Sequence, residues 1–90
     1  MCRNIRTLFN FDPPATPDEI RAASLQFVRK LSGFTAPSKV NETAFNQAVD
    51  DVAAVAETLM NALVTSSPPR DREEWAARAR ARAAERYGRA

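Results

Sequence analysis

Apolar side chains recur along this chain in blocks that carry helical spacing. In the first long block Ile20, Ala23, Phe27, Val28 and Leu31 share one helix face. Thr16-Pro17-Asp18-Glu19 supplies its start: a threonine N-cap, proline at the first helical position, and a glutamate placed to reach back in a capping box. Gly33 is the natural stop, with Phe34 placed to pack back onto the helix. This pattern predicts a helix over residues 17–32. The second block is the clearest. Phe45, Val49, Val52, Ala56, Leu59 and Leu63 follow a 4-3-4-3-4 spacing, widened by Val55 and Met60. It predicts a helix over residues 41–65, capped by Ser38 or Asn41 and broken by Ser66-Ser67-Pro68-Pro69. A third helix starts near Asp71, with Glu73 and Glu74 in the first turn, where the helix dipole favours carboxylates. Trp75, Ala79, Ala83 and Tyr87 step by four along it, but alanines bury little area. Weak docking, or docking through Trp75 alone, is expected. Ahead of all three, Asn4 can cap a short helix carrying Ile5, Leu8 and Phe9, or the segment can form a strand. Asp12-Pro13-Pro14 ends it either way.

Composition supports helices. Glycines number only 2, alanine is abundant, and the β-branched residues do not alternate. Ninety residues make one domain of modest stability unless it oligomerises. The net charge of +2 is unevenly placed: residues 1–69 hold six Lys or Arg against seven acids, and residues 70–90 hold seven Arg against four. The chain therefore divides into a helical core over 1–69 and an arginine-rich C-terminal helix over 70–90, loosely docked. One cysteine cannot close an internal disulfide, so a reducing, cytoplasmic setting is expected. The longest uncharged stretch, from Thr58 up to Arg70, is too short and polar to span a bilayer. Arg3, Asn4 and Arg6 interrupt any signal-peptide core.

Little in the chain looks like chemistry. Cys2, beside Arg3 and Arg6, would be an activated thiol if Met1 were removed. The chain has 0 histidines, so no imidazole base accompanies it. No apolar run precedes it for lipidation, and no ligand set surrounds it for zinc. The favoured reading is a small, partly buried side chain, with a reactive thiol as a third hypothesis. Asp50 and Asp51 point about 100° apart on a helix, so they do not face one cleft. No catalytic residue, metal site, cofactor or small-molecule substrate is expected. Arg78, Arg82 and Arg86 form a positive strip able to track phosphates, with Trp75 and Tyr87 available to stack on bases. The bland alternative pairs those arginines with nearby acids. The loop Ser32-Gly33-Phe34-Thr35-Ala36-Pro37-Ser38-Lys39 is either a binding loop or a connection held down by Phe34.

The runs MCRNIRTLFNFDPPAT, EIRAASLQFVRKLSGFT and PPRDRE closely resemble a family of small bacterial proteins, domain of unknown function 2277, over nearly the whole chain. The resemblance implies a bacterial, cytoplasmic protein whose natural start is MCRNI, and it supplies no activity or site residues. PPATPDEIRAA looks more weakly like the entry to the second helix of the chaperone-stimulating J domain. That family's His-Pro-Asp tripeptide is absent, the loop reading TAPSK, so at most a helical hairpin is shared.

The expected architecture is all-α: a small helical bundle built on an antiparallel hairpin, with a short N-terminal segment and a basic C-terminal helix. Ile5, Leu8, Phe9 and Phe11 are expected to cover one open side of the hairpin, with Cys2 at their edge. The function expected is a non-enzymatic protein-interaction module working through Phe45, Val49, Val52, Leu59 and Leu63, with homodimerisation as one form of it. The alternative is nucleic-acid binding through the arginine helix.

Overall fold

The computed structural model describes residues 5–87, with side chains as far as Glu85. Expectations for Cys2, Arg86 and Tyr87 as side chains lie outside the described residues. Along the chain run β1 (Phe11–Asp12), α1 (Pro17–Ser32), a single 3-10 turn (Lys39–Asn41), α2 (Glu42–Ala62), β2 (Arg70–Asp71) and α3 (Arg72–Tyr87). The chain is thus mostly α, with one small parallel ladder added.

Helix α1 has the predicted bounds because its end signals are complete. The Thr16 hydroxyl accepts the Glu19 N–H at 3.2 Å, and the Thr16 N–H donates to the Glu19 carboxylate at 3.1 Å. Such caps stabilise a helix by about 1 kcal/mol. At the other end Gly33 takes φ 77°, a left-handed conformation that costs side-chain-bearing residues about 1–2 kcal/mol, and donates its N–H to the Arg29 carbonyl.

Helix α2 starts after the 3-10 turn and stops at Ala62, short of the predicted end. Leu63 is already extended. Val64 and Thr65 are β-branched, and the Thr65 hydroxyl accepts the Ser67 N–H at 3.1 Å. That local bond offers the backbone an alternative to another helical turn.

The pairing of Arg21 with Asp50 and of Val28 with Phe45 shows that α1 and α2 run antiparallel. Val28, Phe45 and Val49 are buried between them, backed by Leu25, Ala48 and Val52. Ile20 and Ser24 complete the buried line, the Ser24 hydroxyl donating to the Ile20 carbonyl at 2.8 Å.

Among the described residues the N-terminal segment forms no helix. Residues 5–8 are irregular, Asn10 is left-handed at φ 64°, and strand follows only at Phe11. Asparagine tolerates that conformation better than most residues. The reason lies far away in sequence. The Arg70 N–H donates to the Asn10 carbonyl at 2.8 Å, the Asn10 amide donates to the Pro68 carbonyl at 3.2 Å, and β1 pairs in parallel with β2. These bonds hold Leu8, Phe9 and Phe11 near Pro17, Ile20 and Met60, at the end of the hairpin. The segment therefore closes an end of the hairpin rather than covering an open side.

The same ladder anchors the start of α3. Phe11 meets Trp75 edge to face, with centroids 5.7 Å apart, and the Arg70 guanidinium lies 5.4 Å from the Phe11 ring and 5.0 Å from the Trp75 ring. Arg72 donates to both Glu19 carboxylate oxygens at 2.8 and 2.9 Å, and to the Pro13 carbonyl at 2.6 Å. Trp75 is thus not alone in docking α3: two arginines bind beside it.

Candidate interaction surface

The apolar stripe on α2 divides in two. Phe45 is 7% exposed and Val49 3%. Both are core residues against α1, which corrects their assignment to an interaction surface. Val52 is half-buried. Leu59, 55% exposed, and Leu63 lie open. A 4-3 repeat in a straight helix drifts by about 20° per heptad, so the stripe turns away from α1 along its length. Met60, one residue on from Leu59, takes the inward position and is half-buried.

Beside the core line the hairpin presents a groove of about 350 Å³. Phe27, Leu31 and Phe34 form one wall, and Ala44, Ala48 and Val52 form the floor and the other wall. Leu31 is 72% exposed. Helical geometry places Ala44, Ala48, Val52, Val55 and Leu59 within about 80° of arc on α2. The groove therefore continues into an open strip towards the end of α2, where Val55 is 71% exposed. No charged residue belongs to this strip; Asp51 stands at its edge, held by the Gln47 amide at 3.0 Å. Ala44 and Ala48 escape a reading for large apolar residues. Phe27 and Leu31 follow the core periodicity and yet emerge on its flank, because two helices alone bury only a narrow seam.

The loop after α1 contributes Phe34 to the groove wall, while its backbone is held by the Arg29 guanidinium donating to the Thr35 carbonyl at 2.9 Å. Asp50 is paired with Arg21 and Asp51 with Gln47, so the adjacent carboxylates serve separate contacts.

On α3, Arg78 donates to Glu74 at 2.7 Å, one turn back, while Arg80 and Arg82 are exposed. The structure brings Arg78 and Arg82 onto one helix, but Trp75 is already engaged by Phe11 and Arg70 rather than free to stack on a base.

A second, larger pocket of about 540 Å³ lies between residues 5–8 and the start of α3, lined in part by Phe11, Glu19, Arg72 and Trp75. Beside Arg6, which also lines it, two of its charges, Glu19 and Arg72, are spent on each other. The Arg72 guanidinium, followed by the Thr16 backbone N–H, lowers the Glu19 carboxyl from 4.5 to about 2, and Glu19 in turn raises Arg72. Local sequence gave no sign of this pair, whose members are separated by 53 positions. Among the described residues, no helix is long and apolar enough to cross a membrane, and no three His, Cys, Asp or Glu side chains gather as a metal site would require.

Fold and surface together define a small helical-hairpin protein with an uncovered apolar groove. The chain belongs to the family of uncharacterized conserved proteins DUF2277, whose model matches residues 1–78. The match contains the whole hairpin, β2 and the start of α3; Arg82 and Arg86 lie beyond it. No curated protein matches the chain, and no solved structure does.

Proposed function

We propose that this chain is a non-enzymatic interaction module of the bacterial cytoplasm, which binds a protein partner through the open face of the α1–α2 hairpin. The observation that carries this reading is the continuous apolar strip from Phe27, Leu31 and Phe34 across Ala48 to Val55 and Leu59, open in a chain whose own core is small. Exposed apolar area of this continuity on a small domain marks an interface more often than chance. A photoreactive aromatic residue placed at Val55 in cells should give one discrete protein adduct. The same probe at Glu57, about 160° away around α2, should give none. Equal labelling from both positions, or none from Val55, would refute the proposal.

A second reading, nucleic-acid binding, rests on the exposed Arg80 and Arg82 beside Arg78. It requires affinity that falls steeply with salt, by a log–log slope of about 0.7–0.9 per phosphate contact. Fluorescence anisotropy with mixed DNA and RNA at two salt concentrations decides it. Replacing Arg78, Arg80 and Arg82 by alanine should abolish any such binding.

A further inference from the structure

We infer that the occupant of the groove is a second copy of this chain, docked α2 against α2 in an antiparallel, two-fold arrangement centred between Asp51 and Val52. This pairing presupposes that the hairpin face is a docking surface, and adds the identity of the partner and its register.

The register follows from where large and small residues fall on the open strip. Ala44 and Leu59 are equidistant from the midpoint between residues 51 and 52, and so are Ala48 and Val55. An isologous contact must place residue i against j and j against i. In the antiparallel register, Ala44 meets the partner's Leu59 and Ala48 meets the partner's Val55, on both sides of the axis. Each small side chain then faces a large one. The groove beside Ala44 and Ala48, walled by Phe27, Leu31 and Phe34, receives the partner's Leu59, while Val52 packs near the axis. Alternation of large and small side chains lets two helices approach at the 8–10 Å of packed pairs without voids. The two-fold also brings Asp51 close to its own copy, so this carboxylate, which accepts from the Gln47 amide at the edge of the strip, has to stay in solvent.

The chain as a whole exposes more surface than a compact monomer, a total that does not locate the surplus on one face. The chain exposes 7217 Å², whereas a compact monomer of its 10.0 kDa exposes about 5,200 Å². The surplus, roughly 2,000 Å², is more than twice the ~800 Å² that each partner loses in a stable interface of standard size. The radius of gyration is 16.0 Å, against about 12 Å for a compact chain of this length. The apolar N-terminal segment cannot supply the cover, because the β1–β2 ladder and the Asn10 contacts hold it at the end of the hairpin.

The test exploits a coupling that no monomer can show. Positions 44 and 59 are about 22 Å apart along one helix, so they interact only between copies. Sedimentation equilibrium on the full chain should show a dimer. Ala44→Leu, which overfills the contact, and Leu59→Ala, which empties it, should each weaken dimerisation by about tenfold or more. The double variant exchanges large for small and should recover most of the loss. Circular dichroism melts should report that all three variants fold, since both positions are exposed in the monomer. A concentration-independent monomer, or losses in the double variant that simply add, would overturn the pairing. If the Val55 photoprobe then captures one different protein, the interaction module stands and self-pairing falls. If it captures nothing, both fall.

Discussion

The two halves of this molecule are held by different physics. The hairpin is a local construction: a capped helix, a glycine stop, a short connection and a second helix, sealed by Val28, Phe45 and Val49. The junction of β1, β2 and α3 is a long-range one, held by two residue pairs of parallel ladder, an arginine over two aromatic rings and a bidentate ion pair. Burial in the hairpin is non-directional and cooperative, whereas the junction depends on a few oriented polar contacts that remain partly in water. The hairpin should therefore carry global stability, and the junction should open as a separate, weaker unit.

The largest effect should come from Phe45→Ala. Emptying a buried phenylalanine site costs about 3–5 kcal/mol, out of the 5–15 kcal/mol that holds typical domains. Denaturant unfolding should show the whole helical signal lost at far lower concentration. Selective loss of α3 with the hairpin intact would contradict the division of labour.

A smaller effect tests the hairpin's local design. Thr16→Ala removes the capping hydroxyl bound to the Glu19 N–H and should cost about 1 kcal/mol. It should also loosen the junction, because the same Glu19 carboxylate binds Arg72. Amide exchange should accelerate both in the first turn of α1 and at the start of α3.

The finest probe is pH. The Glu19 carboxyl lies at about 2 in the folded chain and near 4.5 when unfolded, chiefly because Arg72 binds its charged form. A depressed carboxyl contributes stability that is present above the unfolded value and is lost as pH falls through the folded one. Protection at the start of α3, measured against intrinsic amide exchange at each pH, should therefore fall between about pH 4.5 and 2, while protection around Val28 and Val49 changes little over the first part of that range. Arg72→Met should flatten the dependence at α3. An unchanged pH profile in that variant would show that the ion pair does not hold the junction.

Much of the hairpin was legible in advance because its signals are short-range. Thr16, Pro17, Glu19 and Gly33 act within one turn of their own positions, and Phe45 and Val49 lie in the strongest stretch of periodicity. What was misjudged depended on rotation and on distance. A periodic stripe names a helix face but does not say how much of it a shorter partner covers, so Phe45 and Val49 were assigned to a surface while Ala44 and Ala48 went unremarked. The N-terminal segment was read by its local spacing, whereas its conformation is dictated by Pro68, Arg70 and Asp71.

By itself, then, the amino-acid order determined the three helices, the cap and stop of α1, the hairpin, and the family to which the chain belongs. The tertiary structure decided which apolar residues are core and which are open, where the N-terminal segment lies, and that Arg70 and Arg72 dock α3. Capping, φ preference and side-chain period are properties of neighbouring residues and can be read along the chain. Burial and pairing are properties of residues that meet across dozens of positions, and they exist only once the chain has folded.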